Sequence, residues 1–266
     1  MTYFSSLLKT SKTYAPSADR LFSSLDSHGI SYGFLDRTRD IWLRDFMPVK
    51  TRTGTYVSFR YDPGYLDKEP DLKTDFRRDL SKSLSLENVV YSHINLDGGN
   101  VVFSPLKTKA MISDRVFSEN DTLSPVALVH ELERLLETQI LIIPSLKTDM
   151  TGHADGMARF IDENTVLGNH TPYRTGLEAR IKTALHDHGI TVCDFPYFDS
   201  NGDSAVGCYL NFLETEQALL FPVFGVDMDR CAVDAAKNFF NKPIVPININ
   251  EIAEQGGVLN CISWEF

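Results

Sequence analysis

Apolar positions recur along this chain with two periods, helical and extended, and the two alternate. Over 18–28, Ala18, Leu21, Phe22 and Leu25 share one helical face, and Gly29 ends it. Residues 30–35 predict a strand, and a second strand opens at Trp42-Leu43-Arg44-Asp45. The turn at Arg52-Thr53-Gly54 then returns the chain through Tyr56-Val57-Ser58-Phe59. The same order comes back. Leu72, Phe76, Leu80 and Leu84 predict a helix over 72–86, 88–94 a strand, and Asp97-Gly98-Gly99-Asn100 leads into a hairpin through Val101-Val102-Phe103 and 110–112. Ser124-Pro125 reads as an N-cap with proline at the first helical position, and Val129, Leu132 and Leu136 continue that helix into a strand over 140–143. Gly152-His153-Ala154-Asp155 precedes a hairpin around Asp162-Glu163-Asn164. A fourth round has a helix over 177–186, a strand over 190–193, Tyr209-Leu210-Asn211-Phe212 and a return strand over 218–221. The fifth has a helix over 232–240, a strand over 243–247, and a last apolar run that carries Cys261.

Each round therefore reads helix, strand, polar residue on a new strand, hairpin. Asp45, Asp97, His153, Asn211 and Cys261 are spaced by 52, 56, 58 and 50 residues. A long repeat containing several elements points to a closed radial array in which equivalent positions converge on one axis. The alternative is an ordinary α/β sheet whose repeated order is only the usual alternation. It leaves unexplained why reactive residue types recur at one station. The whole of 1–266 is expected to form one catalytic domain.

Composition narrows the partners. With 42% hydrophobic and 23% charged residues the chain is ordinary for a globular protein, and its net charge of −10 argues against nucleic acid or an anionic membrane as a partner. Its four cysteines form no C-x-x-C pair and no zinc-type spacing. The first 24 residues lack the pattern of a signal peptide, and no apolar run approaches bilayer length. These features lead to the expectation of a cytoplasmic protein with reduced thiols.

The last run, Gly256-Gly257-Val258-Leu259-Asn260-Cys261-Ile262-Ser263, predicts a thiol held still by apolar packing of Val258, Leu259, Ile262 and Trp264. Such a thiol is either an inert core cysteine or a nucleophile. His153 and Asp155, two apart on an expected strand, would point the same way. Thiol, imidazole and carboxylate arriving from separate units are the parts of nucleophilic catalysis. Asp45 and Asp97 exceed what a peptide carbonyl needs, but they suit a planar cation with several N–H donors, on which Trp42 could stack. A metal pair at His153-x-Asp155 lacks a third ligand of suitable spacing.

At these residues the chain resembles the agmatine deiminase and bacterial peptidylarginine deiminase family, within the guanidino-group-modifying superfamily. Trp42-Leu43-Arg44-Asp45-Phe46-Met47-Pro48 is similar to its W-x-R-D-x-x-P segment, Asp97-Gly98-Gly99-Asn100 to its acidic-Gly-Gly segment, and Gly152-His153-Ala154-Asp155 to its G-H-x-D. Tyr209-Leu210-Asn211-Phe212 matches Y-x-N-F, and Gly256-Gly257 through Ser263 the nucleophile segment. Asp97 stands where the free-amine and free-arginine deiminases usually carry Glu. The resemblance implies an α/β fold, the five-bladed pseudo-symmetric β/α-propeller called a pentein, and hydrolysis of a guanidine through a covalent thiouronium on Cys261. It makes His153 the general acid and base, and Asp45 and Asp155 the guanidinium partners. Trp42, Arg44, Asp97, Gly98, Asn100 and Asn211 are expected around the substrate, with no metal or organic cofactor. Agmatine, giving N-carbamoylputrescine and ammonia, leads the substrates; free or peptidyl arginine, amidino transfer to an amine, and a catalytically silent guanidine-binding module are the alternatives. A small cationic guanidine is the expected partner, and a homodimer is compatible with the sequence. Asp62, Asp67 and Asp199 all remain candidates for holding the far amine of the substrate.

Overall fold

The computed structural model describes residues 1–171, 176–200 and 204–266. Among these, the strands group into five separate three-stranded sheets. In one, Val102–Phe103 pairs antiparallel with Lys109–Ser113, which pairs parallel with Gln139–Ile143. A parallel neighbour requires a crossover, and the helix Pro125–Leu136 supplies it. Ser124 caps that helix by accepting from Ala127 N–H at 3.3 Å, with proline at the first turn, and Leu128, Leu132, Leu135 and Leu136 form its buried face.

The same construction recurs with Ala158–Phe160, Thr165–His170 and Thr191–Pro196 around helix Gly176–His186. It recurs again with Leu213–Glu214, Leu219–Val223 and Ile244–Asn248 around helix Met228–Phe239. The sheet Val49–Lys50, Tyr56–Arg60 and Val89–Asn95 departs from it at the crossover. There the helix expected over 72–86 shrinks to a turn at Pro70–Leu72 and a wide helical turn at Phe76–Leu80. The apolar pair Phe76 and Leu80 is buried as its spacing demands, but Ser81 and Ser83 turn their hydroxyls onto the carbonyls of Arg77 and Leu80. Serine side chains that bond nearby backbone compete with helix propagation.

The fifth sheet joins the two ends of the chain. Ser263–Glu265 pairs antiparallel with Thr2–Ser5, which pairs parallel with Tyr32–Leu35 across helix Ala15–Ser27. The helix and strand that seemed to open the first unit therefore complete the last one. The four-residue strand Thr2–Ser5 is too short to show a period, which is why the pattern does not announce it. Phe266 N–H donates to Met1 C=O at 3.0 Å, and Trp264 Nε1 donates to Pro48 C=O at 2.8 Å. Val258, Leu259 and Ile262 are fully buried, so the terminus is held as expected.

One correction bears directly on function. The polar stations lie on single turns just ahead of the first strand of each sheet, not on strands. Asp45 is in Leu43–Phe46, Asp97 caps Gly98–Asn100, and His153 caps Ala154–Gly156, which contains Asp155. Asn211 and Cys261 occupy turns before Leu213–Glu214 and Ser263–Glu265. A single turn is too short to express a helical period, so its apolar residues look like the start of the following strand. Among the described residues no helix is long and apolar enough to cross a membrane.

Candidate active site

Four of the five stations line one cavity of about 170 Å³, whose wall includes Trp42, Asp45, His153, Asp155, Asn211 and Cys261, and the fifth, Asp97, stands behind His153. At its centre Asp155 Oδ2 accepts from Asn211 Nδ2 at 3.0 Å and from Asn260 Nδ2 at 2.7 Å, and the Cys261 thiol donates to the same oxygen at 3.7 Å. Asn211 Oδ1 in turn accepts the backbone N–H groups of Asn260 and Cys261 at 3.1 and 3.2 Å. One asparagine thus holds the thiol's loop with its oxygen and the carboxylate with its nitrogen.

His153 sits between two carboxylates. Its Nε2 is 3.0 Å from Asp97 Oδ2 and its Nδ1 is 3.5 Å from Asp45 Oδ1. Asp97 Oδ2 also accepts from Tyr65 Oη at 3.0 Å, and Asp45 Oδ1 from Gly99 N–H at 3.2 Å. Asn100 Oδ1 ties neighbouring stations by accepting from Ser113 and Ala154 N–H. The glycine pair between them is imposed by crowding. A Cβ on Gly98 would stand 2.1 Å from Arg44 C=O, and one on Gly99 2.5 Å from Asp45 Oδ1. Gly98→Ala is expected to destabilise the fold by about 2–3 kcal/mol, the scale of an overpacked core, as read from urea midpoints. An unchanged midpoint would show that the Arg44 backbone gives way.

The charge balance is unusual. Asp45, Asp97, Asp155 and His153 are all buried, which sets three carboxylates against one imidazole. Burial alone would pull the imidazole's pKa down, but Asp45, Asp97 and Asp155 reverse this and carry it up to about 10. Burial lifts Asp45 to about 8, against the pull of His153 and with Asp97 adding to the rise. Burial, then Asp155 and Asp45, push the Cys261 thiol well above its ordinary value. At neutral pH the imidazole, the Asp45 carboxyl and the thiol thus hold their protons. A buried excess of carboxylate is costly unless a cation joins it.

A stability prediction follows from the signs. Both His153 and Asp45 bind a proton more tightly in the folded state than in the unfolded one. The stability carried by His153 is complete below its ordinary pKa of 6.5 and is lost as pH rises through about 10. Between pH 7 and 10 the wild type is expected to lose on the order of 3 kcal/mol relative to the double variant Asp45→Asn/His153→Gln, which removes both titrations. Parallel pH profiles for the two proteins would contradict this.

Other sequence candidates lie nearby in different roles. Trp42 lines the cavity and its ring lies against Gly257, where a Cβ would come within 2.4 Å. Arg44, Asp97, Gly98 and Asn100 are not on the cavity wall. The Arg44 guanidinium reaches Glu265 Oε2 at 2.6 Å and Asn260 C=O at 3.3 Å, so it braces the Cys261 turn from behind. Asp62 and Asp67 are also off the wall and share Lys73, at 2.7 and 3.2 Å, whereas Asp199 lines it. Asn260 and Tyr65 were not anticipated. Asn260 adjoins Cys261 and could have been suspected for that reason; Tyr65 sits in an irregular crossover with no pattern to mark it. Among the described residues no group of three or more His, Cys, Asp or Glu side chains is placed to hold a metal ion.

Known proteins resemble this chain in sequence and in fold. A 66-residue stretch is 33% identical to an Enterococcus faecalis protein provisionally assigned as an agmatine deiminase, covering 24% of this chain and 18% of that protein. The chain thus matches less than a fifth of that relative's length. Over nearly its full length the fold resembles solved structures of the agmatine deiminases of Enterococcus faecalis (TM-score 0.77, 16% identity) and C. jejuni (TM-score 0.76, 18% identity). Each covers 99% of this chain and 92% of the other. The family model for Porphyromonas-type peptidyl-arginine deiminase matches residues 14–266. A match of that length shows the family: this chain belongs to the Porphyromonas-type peptidyl-arginine deiminase family.

Proposed function

We propose that the chain is a deiminase that hydrolyses a guanidino compound, with agmatine the leading substrate, through a covalent intermediate on Cys261. In this reading the five sheets are the blades of a closed pentein propeller. The observation that carries it is the convergence of Cys261, His153, Asp155 and Asp45 on one buried cavity whose carboxylates, among the described residues, exceed the positive charge set against them. A guanidinium supplies that charge and presents N–H donors in the plane that Asp45 and Asp155 can accept.

The chemistry follows from the electrostatics. Entry of the cation opposes the carboxylates that hold the Cys261 thiol protonated, and the thiol releases its proton to solvent, where the ammonia formed later takes one up, as the thiolate forms. The thiolate forms an S–C bond to the guanidinium carbon. His153, protonated at neutral pH, gives its proton to the departing nitrogen as the C–N bond breaks, and ammonia leaves. The S-alkylthiouronium that remains is attacked by water, whose proton returns to His153. Collapse breaks the C–S bond, and the last proton passes from the product's oxygen back to sulfur. A ureido product is released, N-carbamoylputrescine when the substrate is agmatine. Positioning by Asp45 and Asp155 supplies orientation and charge stabilisation together.

The test is to incubate the protein with agmatine, free arginine and an arginyl peptide, and to measure ammonia and ureido product in equal amounts. No product from any guanidine would overturn the reading. Product formed only with an added acceptor amine would indicate amidino transfer instead.

A further inference from the structure

The crossover of the first sheet, where short turns replace the expected helix, carries a side chain that the chemistry above does not use. Tyr65, in the turn Gly64–Leu66, reaches the cavity wall. Its hydroxyl donates to Asp97 Oδ2 at 3.0 Å, the same oxygen that His153 Nε2 approaches at 3.0 Å, and its ring meets the imidazole edge-on with centroids 6.5 Å apart. Asp97 is 2% exposed, and its other oxygen, Oδ1, is buried without a partner. Among the described residues, Tyr65 and His153 are therefore the only groups that hydrogen-bond this carboxylate.

Two donors on one oxygen and none on the other have two consequences. The first is geometric. Asp97 has no further hydrogen bond to fix its rotation, so the Tyr65 hydroxyl decides which oxygen meets the imidazole and from what direction. The second is electrostatic. An oxygen that already accepts from Tyr65 stabilises the imidazolium less than it would alone, because the hydroxyl's own bond is strongest when the imidazole is neutral and the carboxylate's charge uncompensated. Tyr65 does this without giving up its proton, since burial, then Asp97, Tyr61 and Asp45, hold the phenol well above its ordinary value.

The surroundings secure the ring and isolate its effect. The Arg115 guanidinium lies 5.8 Å from the ring's centre and is tied to Glu119 at 2.8 Å and to Met150 C=O, while Tyr61 Oη is 3.5 Å from Tyr65 Oη. Four acids bear on the imidazole: Asp97 at Nε2, Asp45 on the Nδ1 side, Asp155 on its own turn, and Glu119. The Tyr65 hydroxyl bonds only Asp97 among them.

We infer that Tyr65 is a positioning residue of the reaction: by sharing Asp97 Oδ2 with His153 it sets the direction of the imidazole and eases release of the proton that His153 gives to the departing nitrogen. This rests on the deiminase reading and adds to it a side chain that acts one bond behind the reacting groups.

Tyr65→Phe removes one oxygen and keeps the ring. With agmatine as the probe, kcat is expected to fall roughly tenfold, the worth of one buried hydrogen bond, with KM within about twofold of wild type. At neutral pH the proton on His153 Nε2, identified by its absence in His153→Gln, is expected to resonate further downfield in Tyr65→Phe, because Asp97 then bonds the imidazolium alone. An unchanged kcat, with or without a rise in KM, overturns the inference. So does a resonance that stays in place or moves upfield, since a kcat lost by mere loosening of the crossover would not strengthen that bond. Should the wild type turn over no guanidine, the deiminase reading falls by itself, and the resonance still decides whether Tyr65 governs the bond between His153 and Asp97.

Discussion

Cys261→Ser is expected to lose guanidine turnover by a factor on the order of 10⁴–10⁶ while keeping its fold and its affinity for substrate. The reason lies in the cavity's charge. Burial and the two carboxylates already hold the thiol protonated, and in the proposed mechanism a bound cation makes its thiolate accessible. A serine hydroxyl ionises far less readily than a thiol, so the same cation cannot generate the nucleophile. Binding should persist, because Asp155 stays fixed by Asn211 and Asn260 and Asp45 by Gly99 N–H. The measurement is ammonia release alongside the rise in melting temperature with agmatine. Residual activity within tenfold of wild type would remove Cys261 from the role of nucleophile.

Asp155→Asn separates the two duties of that carboxylate, because they predict changes of opposite sign. Loss of its charge removes a guanidinium partner, and turnover should fall by about 10²–10³, the usual loss when one preorganised electrostatic contact is deleted. The same loss removes the first charge that, after burial, holds the Cys261 thiol protonated. Alkylation of Cys261 by neutral iodoacetamide at fixed pH should therefore become faster. The label must map to Cys261 with the melting temperature near that of wild type, since unfolding would expose every thiol. Slower alkylation in the variant would refute the electrostatic account of the thiol even if turnover fell.

Much of this site is readable without coordinates, and the reason is repetition. Each unit carries its reactive residue at an equivalent station, so near-regular spacing of Asp45, Asp97, His153, Asn211 and Cys261 foretells their meeting even though no local rule brings them together. Helix Pro125–Leu136 was legible for a different reason: its cap, its proline and its apolar stripe all act within a few turns. The helix over 72–86 failed because serines able to bond their own backbone outweighed four correctly spaced apolar residues.

What the amino-acid order determined by itself was the set of reactive groups, their sequence along the chain, and the alternation of helix and strand that delivers them. Tertiary structure alone decided who touches whom. It put Asn260 and the thiol on one carboxylate, stationed Asp97 behind the imidazole with Tyr65, turned Arg44 toward Glu265, and closed the fifth sheet with Thr2–Ser5. Periodicity records only what neighbours along the chain do for each other. A contact between residues a hundred or more positions apart, such as Asn260 with Asp155, leaves no periodic trace, because its energy depends on a distance that exists only after the sheets have packed.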